Sequence, residues 1–165
     1  MIHVIDQALD EAARVAVLDY FMGFGRSTEF AWADGSLSLL LDYGSPLSNI
    51  LRRVSKHIDL SGMVGCEYWS HLNTKPGWHK DTDETKLYRD NIEAFPICSI
   101  VYYPHVQNVK GGQLMFETLS IQPVTNRLVA FAPGLLHCVE NFTGERLSVA
   151  VNPWSYKLES ACLRG

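Results

Sequence analysis

The sequence has few cysteines, and their spacing excludes some common uses of that residue. Its 165 residues include four cysteines. None of them forms a C-x-x-C pair, which argues against a zinc knuckle or a thioredoxin-like motif. We expect them instead to be small buried hydrophobic residues of a protein in a reducing compartment. They are Cys66, Cys98, Cys138 and Cys162.

Long apolar runs are also missing from the chain. No stretch approaches the roughly 20 apolar residues of a membrane-spanning helix. The first residues lack a basic segment followed by an apolar run, and Asp6, Asp10 and Glu11 come too early for a secretory signal. We therefore expect a soluble cytoplasmic protein with no membrane partner.

The chain has no excess of positive charge. Its formal net charge is -4, which argues against a surface whose main role is to bind nucleic-acid phosphates, although a local basic patch is compatible with it. The hydrophobic fraction of 47% and the seven prolines are ordinary for a globular protein. With no repeat and no long interior linker, residues 1–165 are predicted to form one domain. The oligomeric state is left open.

The N-terminal part, at about residues 6–60, has the pattern of helices. Asp6 is a suitable cap for a first helix that ends near Gly23, with the apolar residues Leu9, Ala13, Val17 and Phe21. A second helix is predicted after Ser45, which can cap it, and Pro46, which suits the first turn. Its apolar stripe consists of Leu47, Ile50, Leu51, Val54 and Ile58. Both stripes are interpreted as core packing.

From about residue 62 to residue 154 the pattern changes to short strands separated by glycine and proline turns. Many short strands indicate a sandwich or barrel, and the preceding helices are expected to pack on the outside of one sheet. The predicted strands are 63–71, 78–81, 95–103, 112–117, 127–132, 137–142 and 146–152. Residues 82–91 and 104–111 are predicted to be loops, and the first of them is either a lid or a plain surface loop. Gly111-Gly112 is predicted to mark a bend of the sheet.

Three residues have the chemistry of a metal site. His79 and Asp81 are two positions apart, so on an extended segment their side chains point to the same face. His137 begins a later predicted strand and can reach the same space. Two histidines and one carboxylate form the facial ligand set of non-haem iron(II) oxygenases. Taken by itself, the H-x-D triplet favours a solvated turn; the added His137, Arg146 and the strand context favour the metal site instead.

A possible anion site follows on the last strand. Arg146 lies nine positions after His137, and strand alternation places Ser148 on the same face. A guanidinium group can bind a carboxylate through two parallel hydrogen bonds, and a serine hydroxyl can add a third. A diacid cosubstrate would supply the counter-charge that a buried arginine requires. The alternative is a surface arginine paired with Glu145 or Glu140.

Together these residues resemble the iron(II) and 2-oxoglutarate-dependent dioxygenases, and within them the prolyl-4-hydroxylase-like branch. The resemblance covers about residues 63–154. It implies a mainly β fold with flanking helices: a double-stranded β-helix (a distorted, cupin-like jelly roll) with the N-terminal helices packed on the outer sheet. It rests on His79-x-Asp81, Ile100-Val101-Tyr102-Tyr103, Gly111-Gly112-Gln113-Leu114, Arg127-Leu128-Val129-Ala130-Phe131, His137-x-Val139 and Gly144-Glu145-Arg146.

The resemblance also implies roles for particular residues. His79, Asp81 and His137 would bind Fe(II), and Arg146 would bind the distal carboxylate of 2-oxoglutarate. Tyr103 is the tyrosine expected to contact the same carboxylate, because Tyr102 faces the other way on a regular strand; Tyr68 is a further candidate for the cosubstrate. The implied reaction hydroxylates a C–H bond, consumes O2, and releases succinate and carbon dioxide, with ascorbate as an additional cofactor candidate.

The implied substrate is a protein or peptide hydroxylated in the manner of a prolyl hydroxylase. Two alternatives stay open: a small-molecule or amino-acid hydroxylase of the same superfamily, and a cupin-like metal-binding module without redox turnover. A nucleic-acid substrate is disfavoured, because the run after Arg146 lacks the second arginine of the nucleic-acid dealkylases. Outside the spacing motif, weaker candidate ligands are His3, His57, His71 and His105.

Overall fold

The computed structural model describes residues 1–42 and 44–162, and the side chains of 161 and 162 are outside this description. None of its described helices is long and apolar enough to cross a membrane. In chain order the elements are β1 (Ile2–Ile5), α1 (Glu11–Met22), β2 (Thr28–Asp34), α2 (Leu37–Asp42), α3 (Pro46–Val54), β3 (Gly65–Leu72), α4 (Glu84–Asp90), β4 (Ser99–Gly111), β5 (Leu114–Phe116), β6 (Ser120–Ile121), β7 (Arg127–Phe131), β8 (His137–Val139), β9 (Phe142–Trp154) and α5 (Glu159–Cys162).

Within the described residues the strands form two antiparallel sheets. The large sheet has the order β1-β7-β4-β9-β3-β2, and the small sheet has the order β6-β5-β8. The prediction of a mainly β fold with flanking helices is confirmed. The smaller of two core clusters lies between the two sheets and includes Tyr103, Leu114, Phe116, Val129 and Phe131.

The N-terminal helices pack on the outer face of the large sheet, as predicted. Val17 and Phe21 of α1 and Ile50 of α3 are fully or almost fully buried. Each such side chain stabilises the fold by about 1.5–3 kcal/mol through its burial. Their partners on the sheet include Cys66, Ile100, Tyr102, Leu128, Val149 and Val151.

Helix α3 confirms the prediction made from its cap. The Ser45 hydroxyl accepts a hydrogen bond from the Leu47 N–H at 3.3 Å, and Pro46 occupies the first turn. The predicted apolar stripe is buried at Leu47, Ile50, Leu51 and Val54. Ile58 lies beyond the end of the helix and packs against the same core.

The predicted start of the first helix was wrong. Asp10, not Asp6, caps α1 by accepting the Ala13 N–H at 2.8 Å, and Leu9 precedes the helix. Residues 2–5 pair with β7, and Asp6 forms an ion pair with Arg127 at 2.6 Å. Strand β1 was not predicted, because it depends on pairing with a distant strand. The same applies to β2, which was not predicted and pairs with β3.

Three assignments in the second half also need correction. The predicted loop at 82–91 contains α4, which Asp83 caps by accepting the Lys86 N–H at 3.1 Å. The predicted loop at 104–111 continues β4, because it pairs with β9. Residues 78–81 contribute only an isolated bridge rather than a strand. A short capped helix and a polar strand both lack the apolar periodicity from which they could be predicted.

The bend predicted at Gly111-Gly112 is present where the chain leaves the large sheet for the small one. Both residues have positive φ, 79° and 73°. A Cβ at Gly111 would lie 2.3 Å from the Asn141 carbonyl oxygen. Only glycine therefore fits this turn without displacing backbone.

The prediction that the cysteines are buried is confirmed for the three whose side chains are described. Cys66, Cys98 and Cys138 are free and buried. Burial raises the pKa of Cys66 and of Cys98 to about 12, so both are inert thiols at neutral pH. Cys162 lies outside the described side chains.

Asn126 ties the N-terminal segment to the large sheet. Its side-chain oxygen accepts the Leu9 N–H at 3.1 Å and the Tyr102 hydroxyl at 2.8 Å, and its amide donates to the Leu9 carbonyl at 2.8 Å. Its φ is 65°, a left-handed conformation that asparagine tolerates better than most residues. One side chain thus holds both the turn before β7 and the entry to α1.

Replacement of Asn126 by alanine is expected to lower the free energy of unfolding by about 2–4 kcal/mol, because three hydrogen bonds are lost and the left-handed backbone is strained. Urea denaturation measures this loss. Asn108→Ala is the matched control, since Asn108 has a similar φ of 53° and an exposed side chain. Equal losses in the two variants would contradict the role of the hydrogen bonds.

Candidate metal centre

A two-residue backbone bridge brings the predicted ligand segments together. The His79 N–H donates to the His137 carbonyl and the His137 N–H donates to the His79 carbonyl, each at 2.9 Å. Residues that exchange both hydrogen bonds across an antiparallel pair lie directly opposite each other, with side chains on the same face. The two imidazole rings are therefore neighbours, and their centroids are 4.3 Å apart.

Asp81 completes the group, as predicted from the spacing. One carboxylate oxygen lies 3.8 Å from His79 Nε2 and the other lies 3.9 Å from His137 Nε2. The three ligand atoms are all within 4.8 Å of one another. Ligand atoms at an octahedral ion are roughly 3 Å apart when the bonds are about 2 Å long. A small inward movement therefore brings the three residues onto one metal ion.

Backbone carbonyls hold both histidines in the tautomer that a metal requires. His79 Nδ1 is 2.7 Å from the Gly77 oxygen, and His137 Nδ1 is 2.9 Å from the Leu135 oxygen. A carbonyl only accepts, so each Nδ1 carries the hydrogen and each Nε2 keeps its lone pair. Burial lowers the pKa of His137, against the opposing charge of Asp81. The neutral, metal-binding form is thereby favoured.

The weaker histidine candidates do not join this group. His71 is close, but its Nε2 accepts the Trp69 indole N–H at 3.1 Å and its Nδ1 is 3.1 Å from the Thr74 hydroxyl. Burial, with the nearby charge of Arg146, lowers the pKa of His71 to about 4. His71 is thus a neutral residue with both ring nitrogens occupied.

The remaining histidines lie elsewhere. His105 pairs with Glu145 at 2.8 Å. His3 lies against His57, with ring centroids 5.5 Å apart. Neither arrangement includes a residue of the triad.

Arg146 is a buried cation next to the triad. The residue is 1% exposed, and it lines the same pocket as His79, Asp81 and His137. The alternative of a surface arginine paired with Glu145 is wrong, because Arg146 is buried and Glu145 pairs with His105. Among the described residues, its Nε and Nη1 have no hydrogen-bond partner. An unpaired buried guanidinium group is costly, so this pocket is arranged to receive an anion.

The aromatic surroundings orient the guanidinium group. Arg146 Nη2 donates to the Tyr103 hydroxyl at 3.4 Å. The guanidinium carbon also lies 5.0 Å from the centre of the Tyr103 ring and 5.5 Å from that of Phe142. Ser148 is buried and lines the same pocket, as strand alternation predicted. A ligand bound to Arg146 would therefore also contact Tyr103 and Ser148.

The two other tyrosines discussed for the cosubstrate, Tyr102 and Tyr68, face away from the pocket of Arg146. Tyr102 donates to Asn126 on the helix side of the sheet, as predicted. Tyr68 packs against the helix-side core, with its ring 6.4 Å from that of Phe21. The prediction that Tyr68 contacts the cosubstrate is therefore wrong. The opposite face of β3 carries Glu67, Trp69 and His71, which line the cleft beside the triad.

A larger cleft of about 790 Å³ opens outward from the triad. Its walls include Trp69 and Asn152 from the large sheet and Thr85 and Tyr88 from α4. Helix α4 therefore forms one wall of the cleft, in the segment predicted to be a loop or lid. Sequence reasoning did not single out Glu67 or Asn152, whose position follows from the pairing of β3 with β9.

The chain is similar to a known protein family over more than half of its length. Residues 66–154 match the model of the 2OG-Fe(II) oxygenase superfamily. No functionally curated protein matches the chain by sequence.

Solved structures of prolyl hydroxylases share the fold. A prolyl-4-hydroxylase from Pseudomonas putida is 19% identical, with 94% of this chain and 93% of that chain covered and a TM-score of 0.61. A prolyl hydroxylase from Trichoplax adhaerens, in complex with a hypoxia inducible factor peptide fragment, is 14% identical, with 99% and 87% covered and a TM-score of 0.59. A collagen prolyl hydroxylase of Paramecium Bursaria Chlorella virus-1 is 16% identical, with 91% and 88% covered and a TM-score of 0.52. These likenesses confirm the predicted double-stranded β-helix.

Removal of a ligand side chain is expected to abolish specific metal binding. Asp81→Ala and His137→Ala should each weaken the binding of Fe(II) by about 100-fold or more, measured by anaerobic titration. His71→Ala is the matched control, because its ring nitrogens are occupied by Trp69 and Thr74. If His71→Ala lost the metal and Asp81→Ala kept it, the assignment of the ligands would be wrong.

Proposed function

Because the chain belongs to the 2OG-Fe(II) oxygenase superfamily and is thus a 2-oxoglutarate-dependent dioxygenase, we propose that it hydroxylates a C–H bond of a peptide substrate at the His79–Asp81–His137 centre. The observation that carries this proposal is the buried guanidinium group of Arg146, which has two nitrogens without a partner among the described residues and lies in the pocket that the three ligands share. A metal site and an anion site then lie side by side. Iron and a diacid cosubstrate require that combination.

The metal would be held by the Nε2 atoms of His79 and His137 and by the carboxylate of Asp81. This donor set fits Fe(II), because two imidazoles and one carboxylate on one face leave the remaining coordination positions open. When bound, iron with O2 and 2-oxoglutarate supplies the oxidising chemistry that hydroxylates the substrate and releases succinate and carbon dioxide. The Gly77 and Leu135 carbonyls keep the ligand rings oriented for this purpose.

Arg146 would bind the distal carboxylate of 2-oxoglutarate. Its guanidinium group can form a bidentate pair with a carboxylate through Nη2 together with either Nη1 or Nε, the two nitrogens that have no partner among the described residues. The Tyr103 and Ser148 hydroxyls are placed to donate further hydrogen bonds. The inner pocket that Arg146 shares with the triad has a volume of about 30 Å³.

The outer cleft would hold the prime substrate next to the metal. Its volume of about 790 Å³ is large enough for a side chain of a peptide segment together with its neighbours. The structural relatives named as prolyl hydroxylases support a prolyl-type reaction. Ascorbate as a reductant is part of the same proposal. A metal-binding module without turnover would leave the buried Arg146 charge without a role.

Arg146→Ala is expected to raise the KM for 2-oxoglutarate by about 100-fold or more, because a charge-assisted bidentate contact is lost. Fe(II) binding should be retained, since Arg146 is not a ligand. The measurement is succinate release as a function of 2-oxoglutarate concentration, with metal binding titrated in parallel.

Two further variants serve as comparisons: one should have a smaller effect on the KM and the other should have none. Tyr103→Phe should raise the same KM by only a few-fold, because it removes one hydrogen bond of about 1 kcal/mol. Arg26→Ala, at an exposed arginine in a groove on the helix side, should leave it unchanged. An unchanged KM in Arg146→Ala would contradict the assignment of Arg146 to the cosubstrate, whereas a wild-type protein that releases no succinate would favour a module that does not use 2-oxoglutarate.

Peptides that contain proline are expected to gain one oxygen atom when they are incubated with the protein, Fe(II) and 2-oxoglutarate. Mass spectrometry of peptide and metabolite libraries measures this gain, and Asp81→Ala serves as the inactive control. Oxygen gain confined to free amino acids or other metabolites would favour the small-molecule alternative.

A further inference from the structure

Strand β1 forms an edge of the large sheet, on the side away from the metal ligands. It pairs with β7 on one side and ends the strand order. The Ala132 N–H donates to the Met1 carbonyl at 2.9 Å, so the odd-numbered residues of β1 direct their backbone polar groups toward β7. Those of Ile2 and Val4 point outward, and no partner for them is found in the described part of the chain. Such an edge is a template for pairing with another polypeptide.

The two faces of β1 differ in chemistry. Ile2 packs against the core between the two sheets, and Val4 lies on the same face with 47% of its surface exposed. His3 lies on the opposite face, the one that the N-terminal helices cover, and its ring centroid is 5.5 Å from that of His57. A strand added at this edge would therefore meet apolar side chains on one face and imidazoles on the other.

A basic cluster adjoins the imidazole face. It consists of Arg52, Arg53 and Lys56, which lie in the last turn of α3 and in the turn that leads to His57. None of the three forms an ion pair within the residues that the structure describes. The cluster therefore has an electrostatic preference for an anionic partner.

The acidic side chains that are near in sequence do not neutralise the cluster. Asp6 follows β1, and its charge is balanced by Arg127 at 2.6 Å. Asp59 accepts the Ser61 N–H at 2.9 Å and supplies one negative charge against three positive ones. The edge is thus locally basic on a chain whose formal net charge is -4.

Two buried nitrogens on this face lack a partner. They are Arg53 Nε and His3 Nε2, and neither has a hydrogen bond among the described residues. Buried polar atoms are normally satisfied, and a carboxylate accepts from a guanidinium N–H and from an imidazole N–H. Carboxylate side chains on an added strand would supply these acceptors.

A second copy of this chain is a poor occupant of the edge. Pairing of β1 with its own copy about a two-fold axis would place both basic clusters on the same face of the joined sheet. Like charges brought together in this way oppose association. Charge complementarity instead favours a segment that carries carboxylates.

We propose that β1 is a docking edge for an extended acidic segment of another protein, which joins the large sheet as an antiparallel strand with apolar and acidic residues in alternation. Its apolar residues lie opposite Ile2 and Val4 and exchange backbone hydrogen bonds with them. Its acidic residues lie on the face of His3 and the basic cluster. An antiparallel direction matches the pairing of β1 with β7.

Defined peptides test this surface on the full-length protein. The ¹⁵N-labelled protein is titrated with the acetylated, amidated peptide EVEVE, and NMR follows the backbone amides of Ile2, His3 and Val4. These signals should shift, and the peptide KVKVK should bind about tenfold more weakly or worse. Added salt should weaken the binding of EVEVE, because exposed charges are screened.

N-methylated peptides test the strand pairing itself. Methyl groups on the two valine nitrogens of EVEVE remove the N–H groups that face β1, so binding should weaken by about tenfold or more. Methyl groups on the glutamate nitrogens lie on the side away from β1 and should leave binding nearly unchanged. The two peptides have the same charge and the same side chains, which makes each the control of the other.

Protein variants locate the interaction on the chain. Val4→Pro removes an outward N–H without breaking a bond to β7, and it should weaken EVEVE binding about tenfold. Arg53→Gln combined with Lys56→Gln should weaken it by about fivefold. Lys110→Gln removes an exposed charge on β4 and should bind like the wild type. If Val4→Pro does not fold, the methylated peptides decide the same question on the wild-type protein.

Several results would overturn the inference. They are the absence of EVEVE binding, equal binding of KVKVK, undiminished binding after methylation of the valines, and shifts confined to residues outside β1 and α3. A dimer in sedimentation that EVEVE dissociates would make a second copy the occupant and would also overturn it. The peptide titrations use neither metal nor 2-oxoglutarate, so their outcome is independent of the proposed function.

Discussion

The reciprocal backbone hydrogen bonds between His79 and His137 are the contact on which the site depends. They join a segment that is otherwise irregular to the first residue of β8, and they place two imidazoles on one face. Val139 extends the contact by donating to the Pro76 carbonyl at 3.0 Å. Asp81 then needs only the alternation of an extended chain to complete the ligand set. A slip of one residue in this bridge would turn one ligand away from the other two.

The second constraint is the burial of one positive charge. Arg146 lies between aromatic rings, and among the described residues two of its nitrogens have no hydrogen-bond partner. In the proposed function this buried charge binds an anionic cosubstrate.

Much of the fold was predictable where local chemistry decides structure. Ser45 and Pro46 predicted α3 because a cap and a first-turn proline act within a few residues. Strand β1 could not be predicted, because it exists only through its pairing with β7. The predicted loop at residues 104–111 is a strand for the same reason, since β9 supplies its partners. Helix α4 was missed because it is short and has no buried apolar stripe.

For the site, the sequence alone determined which residues have the right chemistry at the right spacing: His79, Asp81, His137 and Arg146. It did so because alternation and ligand type are local properties. Only the tertiary structure decided that Tyr103 faces Arg146 and Tyr68 does not. It also decided that both ring nitrogens of His71 are occupied and that Asn152 lies opposite Glu67. These outcomes depend on the register between β3, β4 and β9, and register is set by contacts between residues far apart in the chain.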